Sequence, residues 1–157
     1  MSSFLNSLPA ILPTVHVWAE KQEALILESG DPLTGSELAD ARRAGVAQPE
    51  KIRVLRVDTL PLPDNEDIRF VAKQIGLFSH RVAGITLGYG ICLSREFHQD
   101  RLTLVHECVH VSQYEKKGGL LPFLTDYLRE CIAPGYPFGA LEQEALLVSR
   151  DVCRGTS

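Results

Sequence analysis

The sequence lacks the features of a membrane-spanning or secreted chain. Its first eighteen residues include apolar side chains, but they have no cationic start and are interrupted by Pro9 and Pro13. A signal peptide needs a charged start, and a membrane helix needs about 20 consecutive apolar residues. We therefore expect no membrane span and a cytoplasmic location.

Paired cysteine motifs are also missing. The chain has four cysteines, Cys92, Cys108, Cys131 and Cys153, and no two of them form a C-x-x-C pair. Widely separated single cysteines are more typical of a reducing compartment than of a disulfide framework. This agrees with the cytoplasmic expectation.

The basic residues form no cluster. The formal net charge is −4, and the longest basic runs are pairs such as Arg42-Arg43 and Lys116-Lys117. Such a distribution gives no nucleic-acid binding surface. The chain also has no repeats or low-complexity segments, and its 157 residues, 45% of them hydrophobic, suit one globular domain over residues 1–157.

The hydrophobic periodicity predicts an α+β protein with a small sheet followed by consecutive helices. Thr34 and Glu37 have the spacing of a capping box, and Asp64 is the expected N-cap of a later helix. Strands are predicted over 51–57, 82–87 and 89–93, and helices over 15–28, 34–45, 64–77, 101–114, 121–131 and 141–153.

One motif points to chemistry. His106, Glu107 and His110 form the pattern H-E-x-x-H. On a helix, residues four apart share a face, so the two imidazoles can bind one Zn²⁺ while Glu107 lies beside them. The segment 101–114 contains no glycine or proline, and a glycine pair at 118–119 ends it.

The predicted helix is apolar over most of its surface, which is typical of a buried helix. Its polar strip contains Thr103, His106, His110, Gln113 and Tyr114. Buried histidines are costly unless they are hydrogen-bonded, paired or bound to metal. We therefore interpret His106 and His110 as zinc ligands rather than as hydrogen-bonded core residues.

Catalytic zinc commonly has three protein ligands, so a further ligand is needed. The pattern H-E-x-x-H-x-x-G-x-x-H would supply a third histidine, but Gln113 and Lys116 occupy the glycine and histidine positions. A carboxylate from a later helix remains, and the candidates are Asp126, Glu130, Glu142, Glu144 and Asp151.

Two segments carry a resemblance to a known family. Residues 105–114 (VHECVHVSQY) and 136–145 (YPFGALEQEA) resemble the zincin-like metallopeptidases of the gluzincin kind, over roughly residues 86–150. The resemblance implies a zincin-like fold, in which a small, mostly antiparallel sheet packs on the H-E-x-x-H helix before C-terminal helices. It implies that Glu142 is the third zinc ligand and Glu144 a neighbour, with Glu130 as the rival ligand.

The chain departs from this family pattern at one position. Many such families carry an aspartate four residues after the ligand glutamate, where it orients a zinc histidine, and this chain has Leu146 there. Another group must then orient the histidine, for which a backbone carbonyl is one candidate.

The resemblance implies a zinc metallopeptidase that hydrolyses a peptide or protein substrate. A zinc-bound water would attack the peptide carbonyl, with Glu107 as general base. The strand around residues 88–92 is expected to align the substrate by edge pairing. Candidate oxyanion donors are Tyr114, Tyr127 and Tyr136.

Two other interpretations remain open. Residues 91–94 (ICLS) resemble the motif that supplies a thiolate ligand in peptide deformylase, which would make Cys92 a metal ligand; otherwise Cys92 is a small buried apolar residue. The third interpretation is a catalytically inactive zincin-fold protein that binds zinc or a partner, since one fold serves many functions.

Overall fold

The computed structural model describes residues 2–74, 82–97 and 100–155, with the side chains of residues 2–5 left out. The protein is a mixed α+β structure in which helices dominate. The helices are α1 (Ser2–Ser29), α2 (Gly35–Arg43), α3 (Glu66–Gln74), α4 (Arg101–Lys117), α5 (Leu120–Glu130) and α6 (Ala140–Arg154), and the strands are β1 (Asp31–Pro32), β2 (Arg53–Val57), β3 (Gly84–Leu87) and β4 (Gly90–Ser94).

The four strands form one mixed sheet in the order β1-β2-β4-β3. The outer pairs β1/β2 and β3/β4 are antiparallel, as expected, while the central pair β2/β4 is parallel, with Val54 opposite Ile91. The strands predicted over 82–87 and 89–93 are present as β3 and β4, which form an antiparallel hairpin. Its turn places Gly88 at φ 67°, a conformation that favours glycine, and a Cβ there would displace the Glu23 carboxylate.

Side chains of β4 alternate between two cores. Ile91 and Leu93 belong to a core with the apolar face of α4, including Val105 and Val109. Cys92 faces the opposite side, where Ile26 of α1 and residues of α5 cover the sheet. Helix α4 packs against β3 and against α6, and this double packing gives the H-E-x-x-H helix its position.

Helix α1 begins at Ser2, so the predicted start at residue 15 is wrong. The helix continues through Pro9 and Pro13, although an interior proline removes a backbone hydrogen bond at a cost of about 3 kcal/mol. Burial of Leu8 and Val15 on the inner face of α1 offsets that cost. Within the described ranges, no helix combines the length and the apolar composition needed to cross a membrane.

The helix starts differ in how well the sequence predicts them. The capping box of α2 is confirmed, since Thr34 N donates to Glu37 Oε1 at 2.8 Å and Glu37 N donates to Thr34 Oγ1 at 3.4 Å. At α3 the cap is Asn65, whose Oδ1 accepts from Ile68 N at 3.1 Å, so the assignment to Asp64 is wrong. The predicted residues 75–77 of this helix lie outside the described ranges.

Both ends of α4 are fixed. Asp100 is the N-cap and accepts from Leu102 N at 3.1 Å, and the helix ends at the predicted stop, with Gly118 at φ 85°. Arg101 in the first turn donates to Asp40 of α2 at 2.8 and 2.9 Å. This hydrogen bond holds the pKa of Asp40 below its usual range.

We expect Asp40→Ala to destabilise the protein by about 2 kcal/mol, because it removes charge-assisted hydrogen bonds to Arg101 and Arg43. The measurement is the free energy of unfolding from urea titration of the wild type and the variant. Asp151→Ala, at an exposed position of α6, is the control and should change stability by less than about 0.5 kcal/mol. Equal stability of the Asp40 variant and the wild type would contradict this role.

Candidate metal centre

Helices α4 and α6 bring two imidazoles and one carboxylate together. His106 Nε2 lies 3.2 Å from Glu142 Oε2, and His110 Nε2 lies 2.9 Å from Glu142 Oε1. The two histidines lie edge to face with ring centroids 4.9 Å apart, as four-residue spacing on one helix face predicts. Among the described residues, this is the one group of three metal-ligating side chains whose donor atoms all lie within 4.8 Å of one another.

The group is shielded from solvent. His110 is 4% exposed and Glu142 7% exposed, while His106 is half-buried. Glu142 lies in the first turn of α6, and the Tyr127 hydroxyl of α5 donates to Glu142 Oε1 at 2.8 Å. The carboxylate is therefore held by groups from α4 and α5.

The hydrogen bonds of Gln113 indicate that His110 is protonated at Nδ1. Gln113 Nε2 donates to the Leu141 carbonyl and to Glu144 Oε1, both at 2.9 Å. Since neither partner can donate, Gln113 Oε1 is the amide atom that faces His110 Nδ1, at 2.8 Å. Nδ1 therefore carries a hydrogen atom and donates a hydrogen bond to Gln113 Oε1.

A neutral His110 would then direct the lone pair of Nε2 at the Glu142 carboxylate. Two acceptors at 2.9 Å require a proton or a cation between them. Burial alone would lower the pKa of His110, but the hydrogen bond to Glu142 and the charges of Glu107 and Glu142 raise it to about 9. Burial would raise the pKa of Glu142, yet His106 and His110 hold it well below its usual range.

The spacing of the three side chains is compatible with one bound metal ion. Donors about 2.1 Å from a tetrahedral centre lie about 3.4 Å from each other, close to the 2.9 and 3.2 Å separations of the histidine nitrogens from Glu142. Two neutral imidazoles and one carboxylate leave room for a fourth ligand. His106, His110 and Glu142 thus lie close enough to bind one metal ion.

Glu107 lies next to this group with its own partner. It is 6% exposed and accepts at Oε2 from the Thr86 hydroxyl of β3 at 2.6 Å. The same hydroxyl lies 3.2 Å from the Glu107 carbonyl oxygen. Strand β3 therefore sets the orientation of the Glu107 carboxylate.

The other candidate carboxylates lie elsewhere. Glu130 Oε1 accepts from Leu141 N at 2.8 Å, so it caps the first turn of α6. Asp126 pairs with Lys117 at 2.8 Å. Glu144 contacts Gln113, as a neighbour of the site should. Of the acidic candidates, Glu142 is the one that the structure places beside both histidines.

The thiol of Cys92 is not part of this group. Cys92 is buried in the core between β4 and α1, and burial raises the pKa of its thiol to about 11. It is thus a neutral side chain near pH 7. This placement favours the interpretation of Cys92 as a small buried apolar residue.

The candidate tyrosines divide between two locations. Tyr127 and Tyr136 line the cavity in front of the metal centre, whereas Tyr114 packs edge-on against Tyr89 with centroids 5.3 Å apart. Burial and the nearby charge of Glu142 raise the pKa of Tyr136 to about 12 and that of Tyr127 well above its usual value. Both hydroxyls therefore remain protonated donors.

The prediction that residues 88–92 align a substrate by edge pairing is wrong. Residues 88–89 form the hairpin turn, and β4 lies between β2 and β3 with both of its edges paired. Strand order depends on contacts distant in sequence, which the local pattern does not contain. Among the described strands, β3 is the edge strand next to β4, and it contacts α4.

A large cavity opens in front of the metal centre. Its volume is about 760 Å³, and the side chains of His106, Glu107, His110 and Glu142 form part of its wall. Strand β3 and Leu146 also line it. The three candidate metal ligands therefore border a cavity whose volume lies in the range of sites for drug-sized ligands.

Two contributors to the site were missed from the sequence. Thr86 is a single polar residue in the apolar segment 82–87, and Gln113 shares the polar strip of the histidines. Those positions are unusual, but nothing local identifies their partners Glu107 and His110. Gln113, rather than a backbone carbonyl, accepts the hydrogen bond from His110 Nδ1.

In comparisons with known proteins, no protein-family profile, curated protein or solved structure matches this chain.

We expect Gln113→Met to weaken metal binding about 10- to 100-fold, because it removes the acceptor that orients His110 while nearly preserving side-chain volume. The measurement is the dissociation constant for Zn²⁺ by competition with a chromogenic chelator. Gln143→Met is the matched control, since Gln143 is exposed and bonds to the Pro137 carbonyl. Unchanged zinc affinity of the Gln113 variant would show that this hydrogen bond does not orient the ligand.

In the absence of metal, we expect stability to fall as pH rises from about 6.5 to about 9. The pKa of His110 is raised from 6.5 to about 9, so its contribution is fully present below 6.5 and is lost as pH rises through about 9. The measurement is the free energy of unfolding in chelator over this range. Glu142→Gln removes the carboxylate that raises this pKa, so a decline of equal size in that variant would contradict the assignment.

Proposed function

We propose that this protein is a zinc-dependent metallopeptidase with a zincin-like fold. The observation that carries the proposal is the convergence of His106, His110 and Glu142 beside Glu107 at one cavity wall. Each of these residues belongs to the two segments that resemble the gluzincin pattern. A metal centre that only stabilised the fold would not need a buried, oriented carboxylate beside it.

Zinc suits these donors better than magnesium or calcium does. Two imidazoles and one carboxylate form the ligand set of several catalytic zinc sites, with the fourth position open. Magnesium and calcium prefer sites made of oxygen ligands alone. No thiol belongs to the donor set, so the cysteines do not affect the choice of metal.

The chain's own residues account for the proton transfers. Bound zinc lowers the pKa of water to about 7 and polarises a carbonyl. Glu107 accepts one proton as the water oxygen forms a bond to the peptide carbon, and it delivers that proton to the nitrogen as the C–N bond breaks. Thr86 keeps the Glu107 carboxylate in position through its hydrogen bond at 2.6 Å.

A second candidate function is a zinc-binding protein without peptidase activity. Leu146 favours it, because families with the resembling pattern often have an acid at that position. The fold and metal centre would be the same in both cases. Only an assay of peptide cleavage distinguishes the two candidate functions.

We expect Glu107→Gln to retain zinc and to lower kcat for peptide cleavage by at least about 100-fold, because glutamine cannot accept the proton. The measurements are zinc content per chain and cleavage of a fluorogenic peptide library by the zinc-loaded protein. If the variant cleaves peptides as fast as the wild type, Glu107 is not the base. If the zinc-loaded wild type cleaves no peptide, the second candidate function is correct.

Two further variants serve as controls. Glu142→Ala should lose both zinc and activity. Glu130→Gln should keep both, since its amide oxygen can still accept from Leu141 N. Loss of zinc from the Glu130 variant, with retention in the Glu142 variant, would make Glu130 the ligand.

A further inference from the structure

The cavity beside the candidate metal ligands has one cluster of polar groups. His106, Glu107, His110 and Glu142 form this cluster together with the Tyr127 hydroxyl. The remaining walls consist mainly of hydrocarbon side chains from α1, from the segment after β2, from α3 and from α5, including Ile11, Trp18, Leu60, Leu62, Val71 and Phe123.

The charged side chains of the other walls are exposed to solvent. Asp58 is exposed and pairs with Arg95 at 2.8 Å. Arg69 is exposed and donates to the Pro63 carbonyl at 2.7 Å. Arg150 is also exposed. A polar or charged side chain placed deep in the apolar part would lose its water without gaining a partner, which is unfavourable.

The volume exceeds what one side chain needs. Cavities of about 300 to 1,000 Å³ accept ligands of several residues or an equivalent drug-sized molecule, and this one measures about 760 Å³. Every large apolar side chain that fills it contributes binding free energy in proportion to its buried area. Small or polar side chains would leave most of the cavity to water.

From these observations we infer that the substrate is a peptide with large apolar side chains next to the scissile bond, which fill the cavity between α1, α3 and α5. This inference rests on the proposed function and names the substrate class of the same site. The hydrolytic groups hold the scissile bond beside the polar cluster, and the apolar walls select the flanking side chains.

A peptide suits this site better than a fatty acyl chain. Strand β3 lines the cavity and lies at the end of the sheet among the described strands. An extended peptide backbone can add to such an edge through main-chain hydrogen bonds, with its side chains in adjacent pockets. An acyl chain has no repeating N–H and C=O groups for that pairing.

The chain contains a built-in probe of the cavity. Trp18 is the single tryptophan in the sequence, and it lines the apolar wall. Its fluorescence therefore reports occupation of the cavity without any need for catalysis. Two dipeptide hydroxamates, Gly-Gly and Leu-Phe, bind metal through the same group and differ only in apolar side chains.

We would titrate both compounds into zinc-loaded Glu107→Gln protein and follow Trp18 fluorescence and calorimetric heat. Leu-Phe hydroxamate should bind at least about tenfold more tightly than Gly-Gly hydroxamate, which corresponds to the preference of an apolar pocket for added carbon atoms. Binding also should shift Trp18 emission. Equal affinity of the two compounds would overturn the inference.

Two exposed apolar residues provide a matched pair of variants. Leu62 is 41% exposed and lines the cavity, whereas Phe70 is 59% exposed and is not part of its wall. Leu62→Asp should weaken binding of Leu-Phe hydroxamate about tenfold and leave Gly-Gly hydroxamate unchanged; Phe70→Asp should change neither. An equal effect of both substitutions would also overturn the inference.

The outcomes separate this inference from the proposed function. If zinc-loaded wild type cleaves no peptide while the Leu-Phe compound keeps its advantage, the peptidase proposal fails and the apolar selectivity of the site stands. If the wild type cleaves library peptides with polar and apolar flanking residues at equal kcat/KM, the peptidase proposal stands and the inference about substrate class fails.

Discussion

The buried contact between Glu142 and the two histidines of α4 is the interaction on which the site depends. An isolated carboxylate at this depth would be strongly unfavourable, and it is present because His106, His110 and the Tyr127 hydroxyl surround it. The same contact joins α4 to α6. A cation that binds all three ligands would therefore link two helices that are distant in sequence, so metal affinity and folding are coupled.

The rest of the fold fixes α4 so that this contact forms. Asp100 and Gly118 define its ends, and Asp40 holds Arg101 in its first turn. Near its other end, Glu115 accepts from Ala47 N at 2.8 Å and from the Tyr89 hydroxyl at 2.8 Å. These tethers come from separate parts of the chain. They hold the helix against the sheet while the side chains on its polar strip remain available to the cavity.

Local patterns predicted the parts of the structure that depend on neighbouring residues. The four-residue spacing of His106 and His110, the glycine stop of α4 and the capping box of α2 all follow from interactions within one element, and the structure contains each of them. The predictions were wrong or incomplete where contacts between residues distant in sequence determine the structure. Helix α1 continues past its two prolines because its inner face is buried, and β2 pairs with β4 in parallel. Thr86 donates a hydrogen bond to Glu107, which is 21 positions away in sequence. Glu142 was selected by resemblance to a family, because spacing alone left five carboxylates open.

Helix α1 limits how far the protein can be shortened without loss of part of the cavity wall. The segments that resemble a known family lie within roughly residues 86–150, and those residues contain every proposed metal ligand together with Glu107. Yet Ile11, Val15 and Trp18 from α1 and residues 58–63 form walls of the same cavity. A fragment restricted to the motif region would hold the ligands without the walls that shield and shape their surroundings. The cavity beside the candidate metal ligands is therefore built from both halves of the chain and extends well beyond the segments that resemble a known family.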